Sequence, residues 1–265
     1  MDLVDVATRH VRRNRVLLAD LEAAHTPSAI RARLESGPHQ NYLRDFVYGA
    51  IDGTVTTFAV VSGVAAAGLS SSVVIVLGLA NLVGDGFSMA AGNFLGTRAD
   101  EQLRDWVRRI EEQHIALHPD GEKEEIRQIF KDKGFSGENL ESAVDTITAD
   151  NRRWVDTMIR EEHGMTLDGP SPWRAASVTF AAFMGLGMIP LVTFLYCHFF
   201  PNGLANPYAW STAFTGMAFF GIGALKGRFV TEPWYRSGLK TLAVGSTAAS
   251  LAYLVGLLLK RLLVV

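Results

Sequence analysis

Five side chains on two apolar segments have the types and spacing to bind a metal ion. Asp45 and Asp52 lie on the first segment, and Asn81, Asp85 and Met89 follow at positions i, i+4 and i+8 on the second. Because a helix turns about 100° per residue, the latter three side chains share one face. Carboxylate oxygens suit hard and borderline divalent cations and a thioether suits softer ones. The set therefore favours a transition metal over Mg²⁺ or Ca²⁺.

Asp52 and Asp85 lie in segments long enough to cross a bilayer. A bilayer core of about 30 Å needs about 20 apolar residues. An ionised carboxylate at its centre costs at least about 2.5 kcal/mol. The two aspartates must therefore line a polar path or hydrogen-bond to neighbouring helices. For Met89, ordinary helix packing is the alternative.

Hydropathy predicts five transmembrane helices, near residues 46–69, 72–97, 174–199, 207–225 and 239–259. Charge is concentrated between the second and third, because residues 98–170 hold 18 of the 27 acidic and 11 of the 25 basic side chains. We therefore expect an all-α, polytopic membrane protein with a soluble helical insert. Its parts are an N-terminal arm (1–44), helices 1 and 2 (45–97), the insert (98–172) and helices 3 to 5 (173–265).

The distribution of lysine and arginine predicts the orientation. The arm, the insert and the segment 226–240 are rich in these residues, whereas 70–72 and 200–206 contain none. The positive-inside rule then places the N-terminus and the insert in the cytoplasm. Lys260 and Arg261 fall on the far side, which side-chain snorkelling tolerates. The single cysteine, Cys197, excludes an internal disulfide, and no basic face indicates nucleic-acid binding.

Glycines recur at four-residue spacing in the apolar segments. Such pairs let helices approach closely in lipid, although glycine is also generally frequent in membrane helices. The pairs are Gly49 and Gly53, Gly92 and Gly96, and Gly223 and Gly227.

The insert should consist of helices that continue from the second span. The first should run to His114 and break at Pro119, and the next should start with Asp120 as its N-cap and stop at Gly134. Two more helices are expected near 138–149 and 151–163.

Metal-binding side chains pair along these helices at i, i+3 or i, i+4 and therefore share faces. Three converging faces would form a site for Fe²⁺, Mn²⁺ or Zn²⁺. A solvated helix face is the alternative for each pair taken alone. The pairs are Glu111 with His114, Glu122 with Glu125, and Met158 with Glu162.

Two segments carry a family resemblance, and they read YLRDFVYGAIDGTVTTFAVVSGVAAAGL and GLANLVGDGFSMAAGNFLG. They resemble the vacuolar iron transporter family and its bacterial relatives, most specifically at the Asp-Gly of Asp52 and the Ser-Met of Met89. The resemblance implies five spans, a homodimer with the ion path at its interface, and a cytoplasmic metal-binding insert. It also implies export of Fe²⁺, and in some cases Mn²⁺, from the cytoplasm in exchange for protons. The metal would be substrate and insert ligand, without a prosthetic group.

By this resemblance Asp45 matches the carboxylate at the mouth of the path, Asp52 the mid-membrane carboxylate, and Met89 the thioether. The resemblance also assigns the insert ligands. They are Glu111, Glu122, Glu125, Met158 and Glu162.

Three positions depart from the family pattern. Asn81 stands where the family has a glutamate in the second span, His114 replaces an insert glutamate, and Ile159 replaces a methionine. Because Asn81 cannot carry a proton, we hypothesise that Asp85, one turn further along the helix, takes over proton coupling. We also hypothesise that the insert captures metal and passes it to Asp45.

An alternative function comes from the Glu-x-x-His formed by Glu111 and His114. Ferritin-like carboxylate proteins use this element to bind a di-iron centre, which would make the chain a membrane-tethered ferroxidase-like or metal-sensing protein. Such a centre needs two of these elements. Only one is present, because Arg160 stands three residues before His163. We therefore expect a transporter, in a bacterial plasma membrane or, in a eukaryote, a vacuolar membrane.

Overall fold

The computed structural model describes residues 20–35, 41–200, 203–229 and 232–263. These residues form α-helices and turns without a β-strand, which confirms the all-α class. The chain divides into two compact units, residues 1–41 and 42–265. In the first unit, helix α1 covers Pro27–Glu35. Residues 20–26 of the predicted arm are also described, whereas residues 1–19 and 36–40 lie outside the described residues.

The second unit begins with the two helices that carry the membrane acids. Helix α2 covers Leu43–Ala67 and helix α3 covers Ser71–Leu117. α2 ends at Gly68, whose φ of +76° is a left-handed conformation that glycine adopts without strain. α3 runs unbroken for 47 residues. The prediction that the second membrane helix continues into the insert is therefore confirmed.

Three short helices complete the insert. Helix α4 covers Pro119–Asp132, α5 covers Gly137–Thr148 and α6 covers Asn151–Glu161. The prediction that Asp120 caps α4 is wrong. Pro119 itself occupies the first helical turn, where a missing N–H costs no hydrogen bond, and His118 precedes it as the cap residue.

The insert has its own apolar core, to which α3, α4, α5 and α6 all contribute. Its helices are amphipathic, so burying the apolar faces together holds the acidic faces in fixed positions. The buried core residues are Val107, Ile115, Ile126, Leu140, Val144, Trp154, Val155, Met158 and Ile159.

The predicted third span is not a straight helix. Helix α7 covers Pro172–Gly187 and α8 covers Ile189–Phe199, and the two are bent by 50°. Pro190 explains the bend, because it cannot donate a hydrogen bond to the carbonyl of Leu186 and its ring crowds that carbonyl.

Two further helices follow, α9 over Pro207–Phe229 and α10 over Trp234–Leu263. Among the described residues, α2, α3 and α10 are long and apolar enough to cross a membrane, and the bent pair α7 and α8 would make a fourth span. The chain is therefore an integral membrane protein. The fifth predicted span corresponds to α9, which is not among these candidates, and it stays a prediction.

Glycines allow α2 and α7 to approach closely. A Cβ on Gly49 would lie 2.4 Å from the carbonyl oxygen of Thr179, and one on Gly53 would lie 2.5 Å from that of Phe183. From the other side, a Cβ on Gly187 would lie 2.8 Å from the carbonyl oxygen of Gly53. The close helix contact predicted for the pair Gly49 and Gly53 is confirmed.

The other two glycine pairs differ from each other. A Cβ on Gly223 would lie 2.5 Å from the carbonyl oxygen of Ser237, so this pair seats α9 against α10. A Cβ on Gly92 or Gly96 would meet nothing within 4 Å in the described part of the chain.

The end of α10 reaches the turn between α2 and α3. Lys260 Nζ lies 2.7 Å from the position that a Cβ on Gly68 would occupy. The ammonium group therefore lies at the C-terminal end of α2, where the helix dipole favours positive charge. Lys260 therefore has a favourable partner in the C-terminal end of α2, which is the other end of the helix from Asp45.

We expect Gly49→Ala to destabilise the protein by about 1–3 kcal/mol, because the new methyl group would collide with backbone that cannot rotate away. Thermal unfolding in detergent would measure the loss. Gly185→Ala on α7 is the matched control, since its methyl group would meet nothing within 4 Å in the described residues. Equal melting temperatures for the two variants would contradict the proposed tightness of this contact.

Candidate metal-binding and transport sites

Six side chains from two helices and from the turn after a third converge on one side of the insert, and we call them the insert cluster. α3 supplies two of them, α4 supplies two, and the last two lie just beyond the end of α6. The insert cluster consists of Glu111, His114, Glu122, Glu125, Glu162 and His163.

The insert cluster contains two groups with metal-binding geometry, and Glu111 belongs to both. In each group, one ligand atom from each of three side chains lies within 4.8 Å of the others. One group is Glu111, His114 and Glu122, and the other is Glu111, Glu162 and His163. His163 Nε2 lies 2.9 Å from Glu111 Oε1, and His114 Nδ1 lies 3.5 Å from Glu122 Oε1.

Glu111 and Glu122 are buried although they are acids. Glu111 is 2% exposed and Glu122 is 7% exposed. The Oε2 atom of each has no hydrogen-bond partner among the described residues. A buried carboxylate oxygen without a donor is unfavourable. A bound cation would satisfy both oxygens.

Two glutamates of the insert cluster have raised pKa values. Burial raises the pKa of Glu122, and the negative charges of Glu125 and Glu111 raise it further. Burial likewise raises the pKa of Glu162, and Glu125 and Glu111 again add to the effect. Raised pKa values at acids that have no lysine or arginine partner among the described residues are typical of functional sites.

Other acids of the insert are in the opposite situation. Hydrogen bonds from Gln128 and Arg127 lower the pKa of Glu124, and Arg127 also lowers that of Glu141. The Arg127 guanidinium donates to Glu141 with Nε at 2.9 Å and also pairs with Glu124. Glu124 and Glu141 are ordinary surface ion-pair partners. One face of α4 therefore carries an ion pair, and another face carries the acids of the insert cluster.

The insert cluster contains five of the six predicted insert ligands and one residue that was not predicted, His163. Glu111, His114, Glu122 and Glu162 lie in the two groups, and Glu125 joins them through its charge. His163 was not predicted from the sequence as a ligand. Its only signal was its position next to Glu162, because α6 ends at Glu161 and helical spacing does not extend to His163.

Met158 lies one turn before Glu162 on α6 and is fully buried in the apolar core of the insert. Its thioether therefore contributes to the core, and its predicted role as a ligand stays a prediction.

In the membrane helices, the predicted path residues lie on α2 and α3. Asp52 is half-buried on α2, close enough to Asp85 on α3 for the two charges to interact. Asn81 Nδ2 donates a hydrogen bond to Asp85 Oδ2, as expected for residues one turn apart. Asp85 itself is exposed on the surface of the single chain, and Met89 is half-buried.

Asp45, in the first turn of α2, is half-buried and accepts a hydrogen bond from Asn93 of α3. Asn93 was not predicted from the sequence as a partner of Asp45. Its partner is 48 residues away along the chain, so no local spacing indicated the contact.

The raised pKa values predict how the stability of the metal-free protein depends on pH. Because the folded state binds these protons more tightly than the unfolded state, their stabilising contribution is full below the ordinary glutamate value of 4.5. It is lost as the pH rises through the raised pKa values. We expect Glu125→Gln to reduce this loss and to raise the melting temperature at pH 7.5 by about 2–4 °C.

Tryptophan fluorescence melts of the full chain in detergent and chelator, from pH 5 to pH 8, would measure this effect. Glu124→Gln is the matched control on the same helix, and it should not raise the melting temperature. An equal pH-dependent loss in Glu125→Gln and in the unmodified protein would contradict the proposed repulsion.

Comparison with known proteins identifies the family. A model of the VIT family matches residues 43–257. A Toxoplasma gondii protein named "Vacuolar iron transporter" is 32% identical over 97% of this chain and 90% of its own length. "Vacuolar iron transporter 1" of Oryza sativa subsp. japonica is 30% identical over 89% of this chain and 92% of its own length.

"Vacuolar iron transporter 1" of Arabidopsis thaliana is 28% identical over 80% of this chain and 83% of its own length. The match to the family model spans both membrane helices that carry the aspartates, the whole insert, and most of the helices that follow. The chain therefore belongs to the VIT family, a family of transporters rather than enzymes.

Proposed function

We propose that this protein carries Fe²⁺, and also Mn²⁺, out of the cytoplasm in exchange for protons. One observation carries the proposal: the unbroken helix α3 bears both the membrane residues Asp85 and Met89 and the insert residues Glu111 and His114. With a rise of 1.5 Å per residue, Met89 and Glu111 are about 33 Å apart along this helix. The iron transport named for the relatives supports the choice of cargo.

The donor set of the insert cluster supports capture of a transition metal. Each of the two groups offers two carboxylates and one imidazole. Oxygen and nitrogen donors together suit Fe²⁺, Mn²⁺ and Zn²⁺ better than they suit Mg²⁺, which prefers oxygen alone. The shared Glu111 would contact an ion in either group. We propose that the insert holds the metal before it passes to Asp45.

The exposure of Asp85 supports a path between two copies of the chain. An aspartate on the lipid-facing surface of a membrane helix would be unfavourable by at least about 2.5 kcal/mol. Gly92 and Gly96 of α3 also face open space, since a Cβ on either would meet nothing within 4 Å among the described residues. A second copy would cover both features and enclose the path.

We propose five membrane spans, with α9 as the fourth and the bent pair α7 and α8 as the third. α9 is 23 residues long, and its charges, Lys226 and Arg228, lie in its last turn. It packs against α10 through Gly223, as a membrane helix would. With the N-terminus and the insert in the cytoplasm, Lys226 and Arg228 also face the cytoplasm, in agreement with the positive-inside rule.

Metal binding by the full chain in detergent tests the insert cluster. By calorimetry with Mn²⁺, we expect Glu111→Gln to weaken binding by at least about tenfold. Glu122→Gln and Glu162→Gln should each weaken it less, because each belongs to one group and Glu111 belongs to both. Glu141→Gln, an acid paired with Arg127, is the control and should bind normally. Equal Mn²⁺ affinities of Glu111→Gln and Glu141→Gln would contradict the proposed metal binding by the insert cluster.

Transport tests the whole proposal. Protein reconstituted in vesicles should move Fe²⁺ when a proton gradient is imposed, and a pH-sensitive dye should report protons moving the opposite way. Asp85→Asn should abolish gradient-driven uptake and leave metal binding by the insert intact, because asparagine cannot carry a proton. Asp85→Glu should keep activity. Unchanged transport in Asp85→Asn would refute proton coupling at this residue, and metal binding without any transport would favour a sensor.

A further inference from the structure

One amide joins three membrane helices beside Asp45. Asn93 of α3 donates from Nδ2 to Asp45 Oδ1 of α2 at 2.9 Å and to Thr179 Oγ1 of α7 at 2.7 Å. Asn93 is half-buried and Thr179 is fully buried. Both hydrogens of the amide nitrogen are therefore used, one on each neighbouring helix.

The orientation of this amide is fixed by a third contact. Thr97, one turn further along α3, donates from Oγ1 to Asn93 Oδ1 at 3.3 Å. If the amide were flipped, its carbonyl oxygen would face the carboxylate of Asp45, and two acceptors would meet. The network therefore directs the Asn93 donor toward Asp45.

Helix packing fixes the distance between the two groups that accept hydrogen bonds from Asn93. Gly49, one turn after Asp45, lets the backbone of α2 contact the backbone of α7 at Thr179. Because this contact involves main-chain atoms, α2 and α7 cannot shift without opening it. Asn93 thus reaches two acceptors whose separation is set by helix packing.

We propose that Asn93 is a positioning residue that holds the Asp45 carboxylate in the orientation that receives the metal ion. The bond to Oδ1 fixes the side chain, whereas Oδ2 accepts no hydrogen bond from the described residues and stays available to a cation. A carboxylate already held in place loses less conformational freedom when an ion binds. This inference rests on the proposed role of Asp45 at the cytoplasmic mouth of the path.

A neutral amide suits this position better than a basic side chain would. A lysine or arginine beside Asp45 would pair with the carboxylate and repel an incoming cation. Asparagine orients the carboxylate and leaves its negative charge uncompensated.

The test is the dependence of initial Fe²⁺ uptake on Fe²⁺ concentration, with the full chain in vesicles. Asn93→Ala should raise the half-saturating concentration about fivefold to tenfold and leave the maximal rate within about twofold, because less of the Asp45 population is oriented for binding. Asn139→Ala, at an exposed site on α5, is the matched control and should change neither value.

A double-mutant cycle separates positioning from a structural role. If Asn93 acts through Asp45, adding Asn93→Ala to Asp45→Asn should raise the half-saturating concentration no further. Thr97→Val keeps Asn93 itself and should shift the half-saturating concentration in the same direction by a smaller factor, which provides a test if Asn93→Ala folds poorly.

Two results would overturn the inference. One is a lower melting temperature and maximal rate in Asn93→Ala with an unchanged half-saturating concentration, and the other is additive effects in the cycle. Normal uptake by Asp45→Asn would overturn both this inference and the role of Asp45 at the mouth. Absence of uptake by the unmodified protein would instead refute the transport function itself.

Discussion

The cost of removing a carboxylate from water constrains this structure more than any other interaction. Asp45, Asp52 and Asp85 lie in the membrane segments, and four glutamates lie in the insert cluster. Within the described part of the chain, none of these acids forms an ion pair with lysine or arginine. Their neighbours are amides and imidazoles. Asn81 contacts Asp85, Asn93 contacts Asp45, and His163 contacts Glu111. Such neighbours offer hydrogen bonds without permanently cancelling the negative charge.

The permanent ion pairs lie on other faces of the insert. Arg127 pairs with Glu124 and Glu141, and Arg108 Nη2 lies 2.7 Å from Asp156 Oδ1. These pairs join α3 to α6 and α4 to α5. Separating structural ion pairs from open acids lets the insert stay folded while the open acids remain able to bind a cation.

Local spacing was sufficient to predict most helices and the acids that share their faces, because the helical repeat alone decides which side chains are neighbours. It failed where the chain leaves a helix or where partners are distant in sequence. His163 lies in the turn after α6, just before Gly164 with its φ of +63°. Asn93 meets residues 48 and 86 positions away. Pro190 was visible in the sequence, but a proline indicates only that a helix breaks or bends and does not give the angle of 50°.

The continuity of α3 links the two sites mechanically. A helix of 47 residues is about 70 Å long, and within it about 33 Å separate Met89 from Glu111. A tilt of only about 10° around Met89 would therefore carry Glu111 sideways by about 6 Å. The other insert helices share an apolar core with α3, and Arg108 of α3 pairs with Asp156 of α6, so these helices would move together with it. As long as α3 does not bend, a small rotation of the membrane helices would therefore shift the intact metal-binding groups of the insert by several ångströms relative to the membrane.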